Sequence, residues 1–213
     1  MCVECCRPCR RRLCSCAPSK TFVDKTNFIG LFLDMPHSTI HISVPPKFGK
    51  SVNLDMLRLY FESEDSALEE EFTDPLFHGT TFYGNPLFWD HYRQYVVLHV
   101  DFSPFKIVED VETFNRTLAE VVCQMHDRYR SHFNFSYVDC KKTPAQALVD
   151  HYNEYKLSIF DAGKHLIKAI SWRFALEVIV LIDNVDAILH NYMIGPGRDK
   201  EKIHNYFGQF LRD

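Results

Sequence analysis

Gly49, Lys50 and Ser51 stand together where an apolar stretch gives way to helical periodicity, and that tripeptide is suited to holding an anion. Backbone N–H groups at the start of a helix and the helix dipole both point at whatever lies before the first turn. The surrounding segment, TIHISVPPKFGKSVNLDMLRLYFE from Thr39 to Glu62, reads as three parts. These are a buried strand over Thr39–Val44, a tight loop, and an amphipathic helix beginning at about Ser51. Lys47, Phe48, Gly49, Lys50, Ser51 and Val52 would then form a phosphate cradle. Lys50 would reach the β- and γ-oxygens of a nucleotide, and the Ser51 hydroxyl would sit on Mg²⁺. The glycine that opens the common form of this loop is replaced by Val44, and Pro45 and Pro46 remove two donors from its front. The same tripeptide also fits a basic surface turn capped by Ser51.

A second chemical residue is Asp183, in LEVIVLIDNVDAIL. The run Val178–Ile182 is apolar and mostly β-branched, as expected for a parallel strand covered on both faces. Asp183 falls at its carboxyl end, where open α/β sheets bind ligands. A carboxylate there can hold the Mg²⁺ that bridges two phosphates, or it can simply cap the next helix. Together with Lys50 and Ser51 the metal role is the stronger reading. Asp101 ends a comparable strand, YVVLHVDF, and is open to either approaching the nucleotide or its water, or capping.

The elements that must position these residues follow from pattern. The stretch FIGLFLDM predicts a helix whose apolar face is Phe28, Ile29, Leu31, Phe32 and Met35, with Asp24 or Thr26 at its start. Met56, Leu57, Leu59 and Tyr60 continue the helix behind the loop, and Glu62 to Glu71 reads as a solvated acidic face or loop. Val111–His132 has the 3.6-residue period, and a further helical region runs from Pro144 to about Ile170. His151, Tyr152, Tyr155 and Phe160 on that region are expected to pack against the sheet. Gly195-Pro196-Gly197 marks a turn before a last helix. Three β elements joined by helices imply an α/β class with a parallel sheet.

Composition bounds the rest. The chain has 213 residues, 46% of them hydrophobic and 24% charged, with a formal charge of -4. One α/β domain with a sizeable core, or at most two small ones, is expected, and a nucleic-acid surface along the whole chain is not. No apolar run reaches the roughly 20 residues needed to span a bilayer, so the expectation is a soluble, intracellular, most simply cytoplasmic protein. Residues 1–20, MCVECCRPCRRRLCSCAPSK, differ in kind. With no apolar h-region they are not a secretory signal. Their abutting Cys-x-x-Cys pairs lack the spacer of a zinc site. A disordered tail is the plainest reading; acylated cysteines beside arginines would instead make a membrane-surface anchor. Cys123 and Cys140 suggest no site.

Four blocks resemble a known family: Phe22-Val23-Asp24-Lys25-Thr26; Pro46-Lys47-Phe48-Gly49-Lys50-Ser51 with Asn53, Leu54 and Met56; Leu76-Phe77-His78-Gly79; and Leu181-Ile182-Asp183 with Asp186. In this order they are similar to the predicted AAA-ATPase-like family, over about Phe22 to the C-terminus. In that family the phosphate loop also lacks its first glycine. The resemblance implies a P-loop NTPase-like parallel sheet with flanking helices over residues 21–213, with Walker A- and Walker B-like motifs binding ATP and Mg²⁺. It also implies a domain truncated at its C-terminus, without the sensor strand and helical lid of family members.

Where the family has a Glu after the metal-binding Asp, this chain has Asn184. The resemblance assigns that Glu to polarising the attacking water, and an amide cannot accept a proton. An ATP-binding domain with weak or absent hydrolysis is thus expected; the alternative is a non-catalytic interaction or scaffold domain, with protein partners unidentified. Read from sequence alone, Asn184→Glu should raise turnover if the rest of the site is competent. A nuclease is not supported, because no acidic Asp-x-Glu/Gln-x-Lys constellation is present.

Overall fold

The computed structural model describes residues 23–36, 39–45, 47–63, 77–129, 161–187 and 199–210. The expected features at 1–20, His151, Tyr152, Tyr155, Phe160, Cys140 and Gly195-Pro196-Gly197 lie outside them. The chain divides into two compact units, Met1–Val97 and Leu98–Asp213.

In the first unit, α1 spans Asn27–Asp34 and α2 spans Lys50–Phe61. A 3-10 turn at Phe82–Gly84 and the single-turn helix α3, Phe88–His91, lead to strand β1, Val96–Asp101, which runs on into the second unit. The core is aromatic. Tyr60, fully buried, meets the rings of Phe61, Phe77, Phe82, Phe88 and Tyr92 at centroid distances of 4.8 to 5.8 Å. Its hydroxyl donates to the Phe88 carbonyl at 2.7 Å, so its buried polar atom is satisfied. Helix α1 comes close to the 3-10 turn at Gly30, where a Cβ would lie 3.0 Å from the Phe82 ring.

The C-terminus of α2 is tied down by charge and by sheet-like pairing. Arg58, buried, donates to Glu62 Oε2 at 2.7 Å and contacts Asp55 Oδ1 at 3.0 Å. Glu62 then forms a parallel bridge with Tyr95, the residue before β1. The acidic run therefore does not begin as a solvated face: Glu62 is buried and paired, because α2 ends against the incoming strand.

In the second unit, α4 spans Val111–Arg128, α5 Ala162–Phe174, β2 Val178–Asp183 and α6 Lys200–Phe210. Helix α4 starts as its sequence requires, with Asp110 accepting from the Thr113 N–H at 2.7 Å. A 3-10 segment, Ser103–Ile107, brings Phe105 against Phe102, Phe114 and Phe207, with centroids 5.5 to 5.9 Å apart. Strands β1 and β2 pair in parallel as a two-stranded sheet, which makes the chain mixed α/β.

Three expectations are corrected. Thr39–Val44 is not a strand: among the described residues it pairs with nothing, and most of it, including Ile42, is exposed. Its alternation of apolar residues fits a strand, but a strand exists only where a neighbour takes its hydrogen bonds. Strand β2 is not covered on both faces; Leu181 and Asp183 are buried, whereas Val180 is 40% exposed. On α1 only Ile29 is buried, and Leu31 and Met35 face solvent.

Candidate functional site

The loop before α2 has the backbone its glycine permits. Gly49 sits at φ 84°, in the left-handed region where a glycine pays no Cβ penalty, and Lys47 also has a positive φ of 68°. The Phe48 N–H bonds weakly back to the Pro45 carbonyl at 3.4 Å, closing a turn. Helix α2 begins one residue earlier than the sequence suggested, at Lys50, and its first full bond runs from Asn53 N to Gly49 O at 2.9 Å. Among the described residues no side chain caps this end, and no acidic residue lies in its first turn to offset the positive end of the dipole. Lys50, Ser51 and Val52 are half-buried, while Lys47 and Phe48 are exposed.

A residue quoted from the sequence only within the first family block, with no role at the site, joins this loop. Lys25 Nζ donates to the Phe48 carbonyl at 3.1 Å. Its neighbour Asp24 is a fixed node: one oxygen accepts from the Thr26 N–H and hydroxyl at 2.8 and 2.7 Å, the other from the Thr81 N–H and hydroxyl, both at 2.6 Å. Partial burial pushes the Asp24 carboxyl up, but these donors, the Thr81 hydroxyl foremost, outweigh it and bring it from 3.8 down to about 2. Thr26 extends the node by accepting from the Phe82 N–H at 3.2 Å. The only signal in the sequence was the acid-Lys-Thr cluster itself.

In the second unit, Asp183, Asn184 and Asp101 come together. Asp183 is buried at the end of β2, and its carbonyl accepts from the Phe102 N–H at 2.9 Å. Its Oδ1 accepts from the Asn184 N–H at 2.9 Å. Asn184 takes a left-handed conformation, φ 56°, and its side-chain amide donates to Asp101 Oδ1 at 2.7 Å. Ser103 adds its N–H and hydroxyl to the same carboxylate at 2.8 and 2.7 Å. Burial pushes Asp101 up, yet the Ser103 N–H, the Asn184 amide and the Ser103 hydroxyl together hold it below the usual carboxylate range. Asp101 thus serves as an acceptor that anchors the turn after β1, and a carboxylate so held is a weaker base.

Each unit, taken by itself, offers donors of a kind that magnesium or phosphate takes. Oxygen ligands such as the Ser51 hydroxyl and the Asp183 carboxylate suit Mg²⁺, and an uncapped helix start flanked by lysines suits phosphate. Among the described residues, no group of three or more His, Cys, Asp or Glu is arranged to hold a metal by itself. No described helix is long and apolar enough to cross a membrane.

The chain is a mixed α/β protein with a glycine-lysine-serine turn opening one helix and an aspartate closing a strand. The family can be stated directly: the model of the predicted AAA-ATPase, AAA-ATPase-like, matches residues 17–213, and the chain belongs to that family. No curated protein and no solved structure matches it.

Proposed function

We propose that this chain is an ATP-binding domain of the P-loop NTPase type that holds Mg-nucleotide and hydrolyses it slowly or not at all. Residues 47–52 receive the phosphates, with Lys50 on the β- and γ-oxygens. Ser51 would supply an oxygen ligand to Mg²⁺, which when bound would offset phosphate charge, and Asp183 offers a carboxylate of the same chemistry at the end of β2. The observation that carries the reading is the left-handed Gly49 opening an uncapped α2 at Lys50. Family membership supports it. Weak hydrolysis is supported by Asn184, whose amide offers no base and is engaged by Asp101.

Thermal denaturation with and without millimolar Mg-ATP tests this. A ligand at about 100 times its Kd adds about 2.7 kcal/mol of stability, a readily measured shift. The wild-type chain should shift and Lys50→Ala should not. No shift in the wild type, or an equal one in Lys50→Ala, favours the second reading, a scaffold domain that keeps the fold without the ligand. The exposure of Phe48 and the unpaired Thr39–Val44 segment are what favour that second reading.

A further inference from the structure

We infer that Lys25 is a second phosphate-binding cation of the nucleotide site, held in place by Asp24. The inference rests on the nucleotide-binding reading and adds to it a residue 25 positions upstream of Lys50.

Lys25 is exposed, and a free exposed lysine samples many rotamers at little cost. Here its Nζ instead lies at the loop, 3.1 Å from the Phe48 carbonyl and 3.7 Å from where a Cβ on Gly49 would stand. Among the described residues no carboxylate pairs with it. A single carbonyl uses one of the three ammonium donors, leaving others for a ligand. Its backbone is also fixed on both sides. Asp24 is bound by donors from Thr26 and Thr81, and the Lys25 carbonyl accepts the Phe28 N–H at 2.9 Å as α1 begins. Those bonds hold the acid-Lys-Thr segment against Thr81 and Phe82, and the side chain between them reaches the loop. The loop needs such a donor, because Pro45 and Pro46 contribute no N–H to its front. A lysine ammonium can replace a missing backbone donor on a phosphate, and it adds a full charge.

The experiment is a titration of the full chain with Mg-ATP, Mg-ADP and adenosine at low and high salt. The variants are Lys25→Ala, Lys25→Arg, Lys25→Gln and Asp24→Asn. Lys25→Ala should weaken both nucleotides about tenfold, as for loss of a hydrogen bond to a charged group, and leave adenosine unchanged. The loss should shrink as salt rises. Lys25→Arg should retain most of the affinity, and Lys25→Gln, which keeps a donor for Phe48 but no charge, should not. Asp24→Asn should weaken nucleotide in the wild-type background and add nothing in Lys25→Ala. Wild-type affinity in Lys25→Ala overturns the role of Lys25 while leaving the nucleotide reading intact, and wild-type affinity in Lys25→Gln reduces it to holding the loop. A wild-type chain that binds neither nucleotide overturns both.

Discussion

The side-chain amide of Asn184 donates to Oδ1 of Asp101 at 2.7 Å, joining the residue after β2 to the last residue of β1. The two positions are therefore one unit: an amide where the family has an acid, and an acid across from it.

That pairing reverses what residue 184 alone suggested. Glu in place of Asn184 would set two carboxylates side by side, and would put a longer side chain at φ 56°, which asparagine tolerates better than glutamate. We predict that Asn184→Glu alone does not raise phosphate release and lowers stability by about 1–2 kcal/mol. The exchanged pair Asp101→Asn with Asn184→Glu should recover part of that stability and release phosphate faster than either single variant. Double-mutant cycles of denaturant unfolding and of turnover check it; a coupling near zero, or faster release in Asn184→Glu alone, refutes it.

Acid should loosen the Asp24 node. Its folded value of about 2 lies below the ordinary 3.8, so its contribution is complete above the ordinary value and is lost as pH falls towards 2. Asp24→Asn should flatten the acid limb of a stability-versus-pH curve in that window and change little at pH 7 to 8 in the slope. An unchanged acid limb would show that Thr26 and Thr81 do not hold the carboxylate.

Gly49→Ala should cost about 1 kcal/mol, since a Cβ at φ 84° is strained although the space beside it is open to within 3.7 Å of Lys25 Nζ. If the left-handed turn presents the N–H groups to phosphate, nucleotide affinity should fall with it. Calorimetric titration together with thermal unfolding separates the two effects, and unchanged values in both would mean the turn does not matter.

Arg58→Met removes the cation between Asp55 and Glu62. Loss of one partner from a buried ion pair typically costs about 3–5 kcal/mol, far more than an exposed pair. A midpoint shift in urea corresponding to less than about 1 kcal/mol would place these charges in effectively solvated surroundings.

Tyr60→Phe keeps the ring contacts and deletes only the hydroxyl that serves the Phe88 carbonyl. Stability should fall by about 1 kcal/mol, whereas Tyr60→Ala should cost about 3–5 kcal/mol through the cavity it opens. Equal losses for the two would mean that the hydrogen bond, not packing, dominates.

Local pattern was enough wherever the deciding interaction is local. The period of Met56, Leu57, Leu59 and Tyr60 gave α2, the β-branched run gave β2, and the 3.6-residue period from Val111 gave α4, because helices and apolar runs carry their own hydrogen bonds or burial signal within a few residues. Gly49 likewise marked the tight loop before α2, and the structure adds its left-handed conformation. The alternation in Thr39–Val44 looked just as regular and made no strand, since sheet bonds depend on a partner that sequence spacing does not specify. Tertiary structure alone decided that Lys25 reaches Phe48, that Thr81 holds Asp24, and that Asn184 faces Asp101. Those pairs lie 23, 57 and 83 residues apart along the chain, and a polar side chain carries no mark of which distant donor or acceptor folding will bring within hydrogen-bond reach.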